Sequence, residues 1–442
     1  MSKVLRKRWQ SSLESGLSRK ERQGCEYEAY VPDPLVGRTF RLDGSVAADV
    51  ADAERAIATL DATADALANT EALARLLLRA ESVASSFIEG LVVGGRRLLR
   101  AEAARLAGET DIDVTADEVL GNIDSMTWAV ESLSAAEAVT VDGLLHLHER
   151  LLARTRLSEH AGQIRSVQNW IGGSSFNPCS AAFVPPPPDH VEQLLADLCA
   201  FVNDDSLPAI AQAAIAHAQF ETIHPFVDGN GRTGRALIHV VLRRRGVAPR
   251  ILPPISLVLA TWSRSYIGGL TATRYRGRPD SSAAHDGVNS WIGLLAAACR
   301  RAVDDAMAFE ERVATIQRDW RAAAGTVRRG SATDLLVGAL PGAPVVSVSS
   351  AANLIGRSFQ ATNEAVTRLE AAGVVRQVNV GRRNRAFEAP AIIDAFTALE
   401  RQLASPTGDT RGRGRTDRLG PKGRGGWMVR SAVPGSRSPP AR

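Results

Sequence analysis

The segment Ile223 to Arg235, reading I-H-P-F-V-D-G-N-G-R-T-G-R, limits the fold of this chain more than any other. Helical apolar patterns over 208–223 and 232–245 flank it, so it reads as a tight turn between two packed helices. Gly229 and Gly231 permit positive φ and close backbone approach, so the N–H groups of the turn converge on an anion where the second helix begins. Arg232 and Arg235 lie three apart on that helix, and both can face the turn and hold further phosphate oxygens. Asp228 offers the hard oxygen that a Mg²⁺ ion on a polyphosphate requires. His224, fixed by Pro225, is suited to accept a proton from an incoming hydroxyl near neutral pH. Taken one by one, these residues describe only a capped helix start with a core Phe226 and two solvated arginines. Their order within thirteen residues is what points to phosphate chemistry.

The rest of the body is helical as well. Patterns over 46–68, 71–106, 141–154, 189–203 and 289–318 repeat the three- and four-residue spacing, and the second carries Leu73, Leu76, Leu77, Ala80 and Val83 on one stripe. Gly94-Gly95 is expected to interrupt it. Between two helices lies NWIGGSSFNPCSAAFVPPPP (169–188), whose short apolar pieces, glycines and four prolines suit a hairpin-like flap. With 442 residues, 45% hydrophobic and 23% charged, the chain is an ordinary globular protein of two or three domains. Neither membrane insertion nor secretion is expected, because no apolar run reaches the roughly 18 to 20 residues of a spanning helix. Cys25, Cys179, Cys199 and Cys299 lie far apart, which speaks against a zinc ribbon or a disulfide framework and fits a reducing cytoplasm.

The ordered motif H-P-F-x-D-G-N-G-R-x-x-R is matched at every position, and it resembles the signature of the Fic family. The flap and the entry helix around Leu144 to Leu152 extend the resemblance over roughly 135–315. It implies a helical Fic fold with a small β-hairpin flap, ATP and Mg²⁺ as cofactors, and transfer of AMP to a Ser, Thr or Tyr hydroxyl of a protein target or of the protein itself. By this resemblance His224 is the general base and Asp228 the metal ligand. Phe226 anchors the loop, and Gly229, Asn230 and Gly231 form the anion hole. Arg232 touches the β-phosphate side and Arg235 holds the γ-phosphate. A phosphorylating branch of the superfamily has Lys where this chain has Gly231, so nucleotidyl transfer is expected.

Ser85-Ser86-Phe87-Ile88-Glu89-Gly90 looks like the family's inhibitory motif, with Ser85, Glu89 and Gly90 in place. In the family that Glu pairs with the arginine corresponding to Arg235 and stops the γ-phosphate from docking, so regulation in cis by Glu89 is implied. An extended flap edge near Trp170 to Gly173 would register a target strand by main-chain hydrogen bonds. A competing reading runs the same pocket in reverse, with Glu89 orienting a water for removal of AMP. Another treats the chain as a DNA-binding regulator with a nucleotide-sensing core.

The expected organisation is an N-terminal helical region (1–134) with the inhibitory motif, a catalytic core (135–325), a third unit (326–400) and a basic tail (401–442). In the third unit, helices over 349–354 and 360–372 and strands over 374–380 and 385–388 around G-R-R-N resemble a winged helix-turn-helix. Gln360, Asn363 and Thr367 would then face bases, and Arg382, Arg383 and Arg385 phosphates; protein docking or dimer formation is the alternative use. Residues 404–442 hold nine Lys or Arg against two Asp, so the basicity of the chain belongs to this Gly-, Pro- and Ser-rich tail, which reads as disordered. Other chemistry is thin. No P-loop occurs, His146 and His148 cannot share a helix face, and His285-Asp286 lacks the partners of a metal-dependent phosphohydrolase.

Overall fold

The computed structural model describes residues 1–11, 17–65, 70–106, 108, 113–380, 384–403 and 429–431. The helices are α1 (Gly44–Asp65), α2 (Thr70–Ile88), α3 (Gly95–Leu106), α4 (Val114–Trp128), α5 (Val141–Leu152), α6 (Val191–Val202), α7 (Ala209–Ile223) and α8 (Asn230–Arg244). They continue with α9 (Ile255–Thr261), α10 (Ser263–Ala272), α11 (Ser282–Ala323), α12 (Ala332–Ala339), α13 (Val348–Ile355), α14 (Phe359–Ala371) and α15 (Pro390–Leu403). The strands are β1 (Lys3–Trp9), β2 (Cys25–Val31), β3 (Asn169–Ile171), β4 (Val345–Val346), β5 (Arg376–Val380), β6 (Asn384–Glu388) and β7 (Val429–Ser431).

Helix α7 is the axis of the core. Every one of its residues is buried, and with Ala at six positions it lets α6, α8 and α11 approach from several sides. Trp291 of α11 donates its indole N–H to Ala214 O at 2.7 Å, which fixes the long helix against α7. A helix with no exposed face needs surrounding helices to cover it, and that is why the turn following α7 lies deep in the molecule.

The helix expected over 71–106, with an interruption at Gly94-Gly95, already breaks before those glycines. Helix α2 stops at Ile88, Gly90 takes a positive φ of 85°, and α3 starts only at Gly95. Glu89 is therefore presented at a helix end. Helix α2 is held by buried polar contacts: Glu81 accepts from Ser256 N at 2.7 Å and Ser256 Oγ at 2.5 Å, and lies 2.9 Å from His239 Nε2. Asn122 adds a donor to Ser82 O.

In the third unit, α12, α13 and α14 pack beside a three-stranded sheet of order β4-β6-β5, with all pairs antiparallel. Buried Glu388 on β6 accepts from Arg100 of α3 and Arg376 of β5, so the unit is tied to the helix that follows the Glu89 segment. Helix α15, absent from the sequence reading, packs on α3, α9 and α11.

Two expectations are overturned. Cys25 and Cys179 form a disulfide although 154 residues separate them, while Cys199 and Cys299 are buried and free. The bond joins β2 to the flap; spacing along the chain carries no sign of it, because β2 reaches the flap only through tertiary packing. The antiparallel hairpin β1–β2 was itself unexpected. The tail also is not wholly without structure: β7 pairs with β3, setting Asn169 opposite Ser431 and Ile171 opposite Val429. Residues 404–428 and 432–442, and with them most of the tail reading, lie outside the described residues. Among the described residues no helix is long and apolar enough to cross a membrane.

Candidate functional site

His224 ends α7 in the left-handed conformation with φ 52°, the only non-glycine residue with positive φ among those described. Its N–H closes the last helical bond to Phe220 O, and its C=O accepts from Arg165 Nε at 2.8 Å. Arg165, which the sequence reading missed, also holds Pro225 O through its backbone N–H and Pro186 O through its guanidinium, so one buried cation organises the chain reversal. Asn230 returns both halves of its amide to the Phe226 backbone, at 2.8 and 2.9 Å. Its side chain is thus spent on the turn, and its contribution to an anion site is restricted to the backbone N–H. Phe226 is fully buried and stacks on His148 at 3.7 Å. Gly162 N–H donates to His148 Nδ1, so the proton resides on Nε2 and is donated to Asp228 O at 3.0 Å. Burial lowers the pKa of His148 to about 4, consistent with a neutral structural ring.

Helix α8 begins at Asn230 behind Gly229, whose φ is 77°, and its first backbone bond is Thr233 N to Gly229 O. The N–H groups of Asn230, Gly231 and Arg232 precede that bond and have no intrahelical acceptor. Arg232 donates to Asp228 Oδ2 at 2.9 Å, yet its Nε and Nη1 are buried without a partner. Asp228 itself is the exposed member of the pair at 39%. Two unpaired nitrogens of a buried guanidinium are costly unless a ligand meets them.

Arg235 is 1% exposed and donates to Ser85 Oγ at 2.9 Å, Ser85 O at 2.7 Å and Glu89 Oε1 at 2.8 Å. Burial works to lower its pKa, but the charge of Glu89, helped by Tyr266 and Glu221, outweighs it and the net shift is upward. Gly231 makes the approach of Glu89 feasible: a Cβ there would lie 1.9 Å from Glu89 Oε1. The carboxylate thus sits against the start of α8, where an anion would bind. Gly90 supplies the helix end, and its N–H donates to Phe87 O.

A cleft of about 280 Å³ opens beside these groups, lined by Glu89, His224, Arg235, Tyr266, Ile267 and Arg274 among others. Both ring nitrogens of His224 are buried without hydrogen bonds. Burial, then Arg165, bring its pKa down to about 3, so the ring is a neutral acceptor across the ordinary pH range. Glu221, Tyr266 and Arg274 also line the cleft and were not singled out from sequence; they belong to elements whose approach only tertiary packing decides. Arg274 lies 3.6 Å over the ring of Phe183, a flap residue. The flap strand β3 is bridged on one side to Phe183, while β7 pairs with it, so the edge read as a target-docking strand already carries a strand of this chain. Gln360, Asn363 and Thr367 are exposed on α14 and Arg385 is exposed on β6, all remote in sequence from the cleft; Arg382 and Arg383 lie outside the described residues.

Fold and site together define a helical domain in which a carboxylate at the end of a preceding helix sits against a buried helix start. Residues 138–242 match the Fic/DOC family and residues 47–131 match the Fic/DOC family N-terminal region. Among known relatives, the chain is 37% identical over 142 residues to protein adenylyltransferase fic-1 of Caenorhabditis briggsae, covering 31% of this chain and 26% of that one. To protein adenylyltransferase Fic of Drosophila grimshawi it is 31% identical over 210 residues, covering 45% of this chain and 41% of that one. The matched part is therefore well under half of these relatives' length. A Fic family protein from Desulfovibrio desulfuricans G20 shares the fold, with a TM-score of 0.50 at 19% identity over 79% of this chain and 97% of that one.

Proposed function

We propose that the protein is an adenylyltransferase that moves AMP from ATP to a hydroxyl of a protein side chain, itself included, and that Glu89 restrains it in cis. The observation that carries this reading is the set of unsatisfied groups at one helix start: the free N–H groups of α8, the unpaired Nε and Nη1 of Arg232, and the unpartnered ring of His224. Such groups await a phosphate and a proton. Arg235 would hold the terminal phosphate once Glu89 withdraws, and the apolar wall at Ala260, Ile267 and Leu270 leaves room for a flat base. Among the described residues no cluster of three His, Cys, Asp or Glu could hold a metal alone. Asp228 by itself still fits Mg²⁺, which takes one or two carboxylates and completes its shell with substrate phosphates and water. When bound it would offset phosphate charge; the protein's own part is orientation by the cradle and proton acceptance at His224. The test is incubation with ATP labelled on either the α- or the γ-phosphate: the α label becomes protein-bound and the γ label does not, whereas bound γ label would mean phosphorylation.

Removal of AMP through the same cleft is the second reading, favoured by the Glu89 carboxylate lining the cleft beside His224. For residues 326–400 we infer a winged-helix unit that docks a protein partner or, in the alternative, binds DNA through the exposed α14 face. If it binds DNA, affinity falls steeply with salt, and changing Arg382, Arg383 and Arg385 to Ala lowers the log–log salt slope by about 0.9 per lost phosphate contact. Chain truncated after Pro406 separates this from the tail, and salt-independent or absent binding in an electrophoretic shift assay would assign the unit to protein docking.

A further inference from the structure

Three buried carboxylates of this protein invite comparison. Glu81 accepts two hydrogen bonds from Ser256 and lies 2.9 Å from His239 Nε2; Glu388 accepts from Arg100 and Arg376. Both are fully employed in holding elements together. Glu221, only 7% exposed, has an oxygen Oε1 with no hydrogen-bond partner, and its Oε2 faces His224 Nδ1 at 4.0 Å. His224 is 2% exposed and neither of its ring nitrogens has a partner either. A buried carboxyl left in this state is expensive if its task is packing alone. The chain also preserves the space for it: a Cβ at Gly234 of α8 would lie 2.7 Å from Glu221 Oε1. Because His224 leaves the helix in the left-handed conformation, the imidazole turns back along α7 toward the residue three positions before it.

We propose that Glu221 is the positioning residue for His224, holding the proton on Nδ1 so that Nε2 is free to receive the proton of the acceptor hydroxyl, and pairing with the imidazolium that results. This rests on the AMP-transfer reading above. In the step, a bond forms between the acceptor oxygen and the α-phosphorus. The bond from that phosphorus to the bridging oxygen breaks with its electron pair leaving on pyrophosphate, and the hydroxyl proton moves to Nε2. A base oriented by a third group is the general arrangement for activating a hydroxyl, and such contacts are often long before substrate binds. The charged and titratable groups facing the pair are Arg165 before β3, His217 on α7, Arg235 on α8, Tyr266 on α10, Arg274 just beyond it, and Glu89 at the end of α2. Burial raises the Glu221 pKa to about 7, with Arg235 opposing, so the carboxyl ionises where the reaction would run.

The test uses the full chain carrying Glu89→Gly, with and without Glu221→Gln. Transfer of α-labelled AMP should rise with pH in the parent, with a midpoint below about 7 because the Glu89 charge that helps to raise the Glu221 pKa is gone, and lose that rise in the Gln variant, as its kcat falls 10- to 100-fold at unchanged KM for ATP. Glu221→Asp should recover part of the rate. ¹⁵N NMR of the imidazoles, with His224 assigned by its loss in His224→Ala, should report Nδ1–H in the parent and a loss of that preference in the Gln variant. An unchanged rate, pH profile and tautomer in Glu221→Gln would overturn the proposal. If the Glu89→Gly parent transfers no label, the AMP-transfer reading fails on its own, and an unchanged tautomer would then also dismiss Glu221 as the positioning group.

Discussion

Glu89→Gly is expected to raise incorporation of α-labelled AMP into the protein by tenfold or more. In the resting structure Glu89 Oε1 accepts from Arg235 Nη2 at 2.8 Å and occupies the position a Cβ at residue 231 would contact. Under the proposed function, the same place and the same arginine are what a terminal phosphate would need. Opposite charges about 4 Å apart at an effective dielectric near 20 attract by roughly 4 kcal/mol before desolvation is set against it. Each 1.4 kcal/mol of that bias withholds about tenfold of the productive complex. Removing the carboxylate leaves Arg235 in place, because Ser85 still accepts two of its hydrogen bonds. Arg235→Ala in the same chain should therefore cancel the gain. The measurement is label incorporation alongside circular dichroism; a folded Glu89→Gly protein with unchanged or lower activity would strike out the restraint and advance the hydrolytic reading, in which Glu89 is needed.

The contact of Ser85 and Glu89 with Arg235 was legible in the sequence, and for a local reason. Ser85 and Glu89 are one helical turn apart at the end of α2, and Gly90 stops the helix after them, so the pattern of the segment survives without knowledge of the fold. The cradle is similar: Gly229, Asn230 and Gly231 act through backbone geometry set within a few residues. What the sequence did not convey is that Asn230 would turn its amide back onto Phe226, a choice between self-capping and ligand contact that composition does not decide.

The groups missed are those whose role depends on distant neighbours. Arg165 looks like one solvated cation in a loop, yet it is buried and its guanidinium donates to the backbone carbonyls of His224, Val167, Pro186 and Ile223. Its burial lowers its pKa to about 9, and no periodicity signals that. Cys25 and Cys179 meet because β2 packs beside the flap, where Tyr30 N–H also donates to Val184 O. Glu221 reads as one of five polar residues on α7, beside Gln212, His217, Gln219 and Thr222; only the fully buried course of α7 turns its charge into a signal, since a helix with no solvent face has no ordinary place for a carboxylate.

His224→Ala is expected to reduce AMP transfer by about 10² to 10⁴ while ATP binding persists. The reasoning is geometric. His224 lies in the cleft without a hydrogen bond to either arginine of the cradle, so the phosphates would keep Arg232, Arg235 and the α8 N–H groups after its loss. Its left-handed backbone introduces a competing explanation, because Ala at φ 52° costs roughly 1 to 2 kcal/mol and could loosen the turn. Asn accepts that conformation more readily and fills part of the space without supplying a base of comparable strength. His224→Asn should therefore be as inactive as His224→Ala but more stable, with ATP affinity by calorimetry close to that of the parent in both, all in the Glu89→Gly chain. Burial and Arg165 hold the imidazole neutral, so its own protonation does not limit the rate between pH 6 and pH 8, and the loss should be larger at pH 8, where Glu221 is ionised. If His224→Asn transferred AMP at the parent rate, the proton would be leaving by another route and His224 would be a turn residue only.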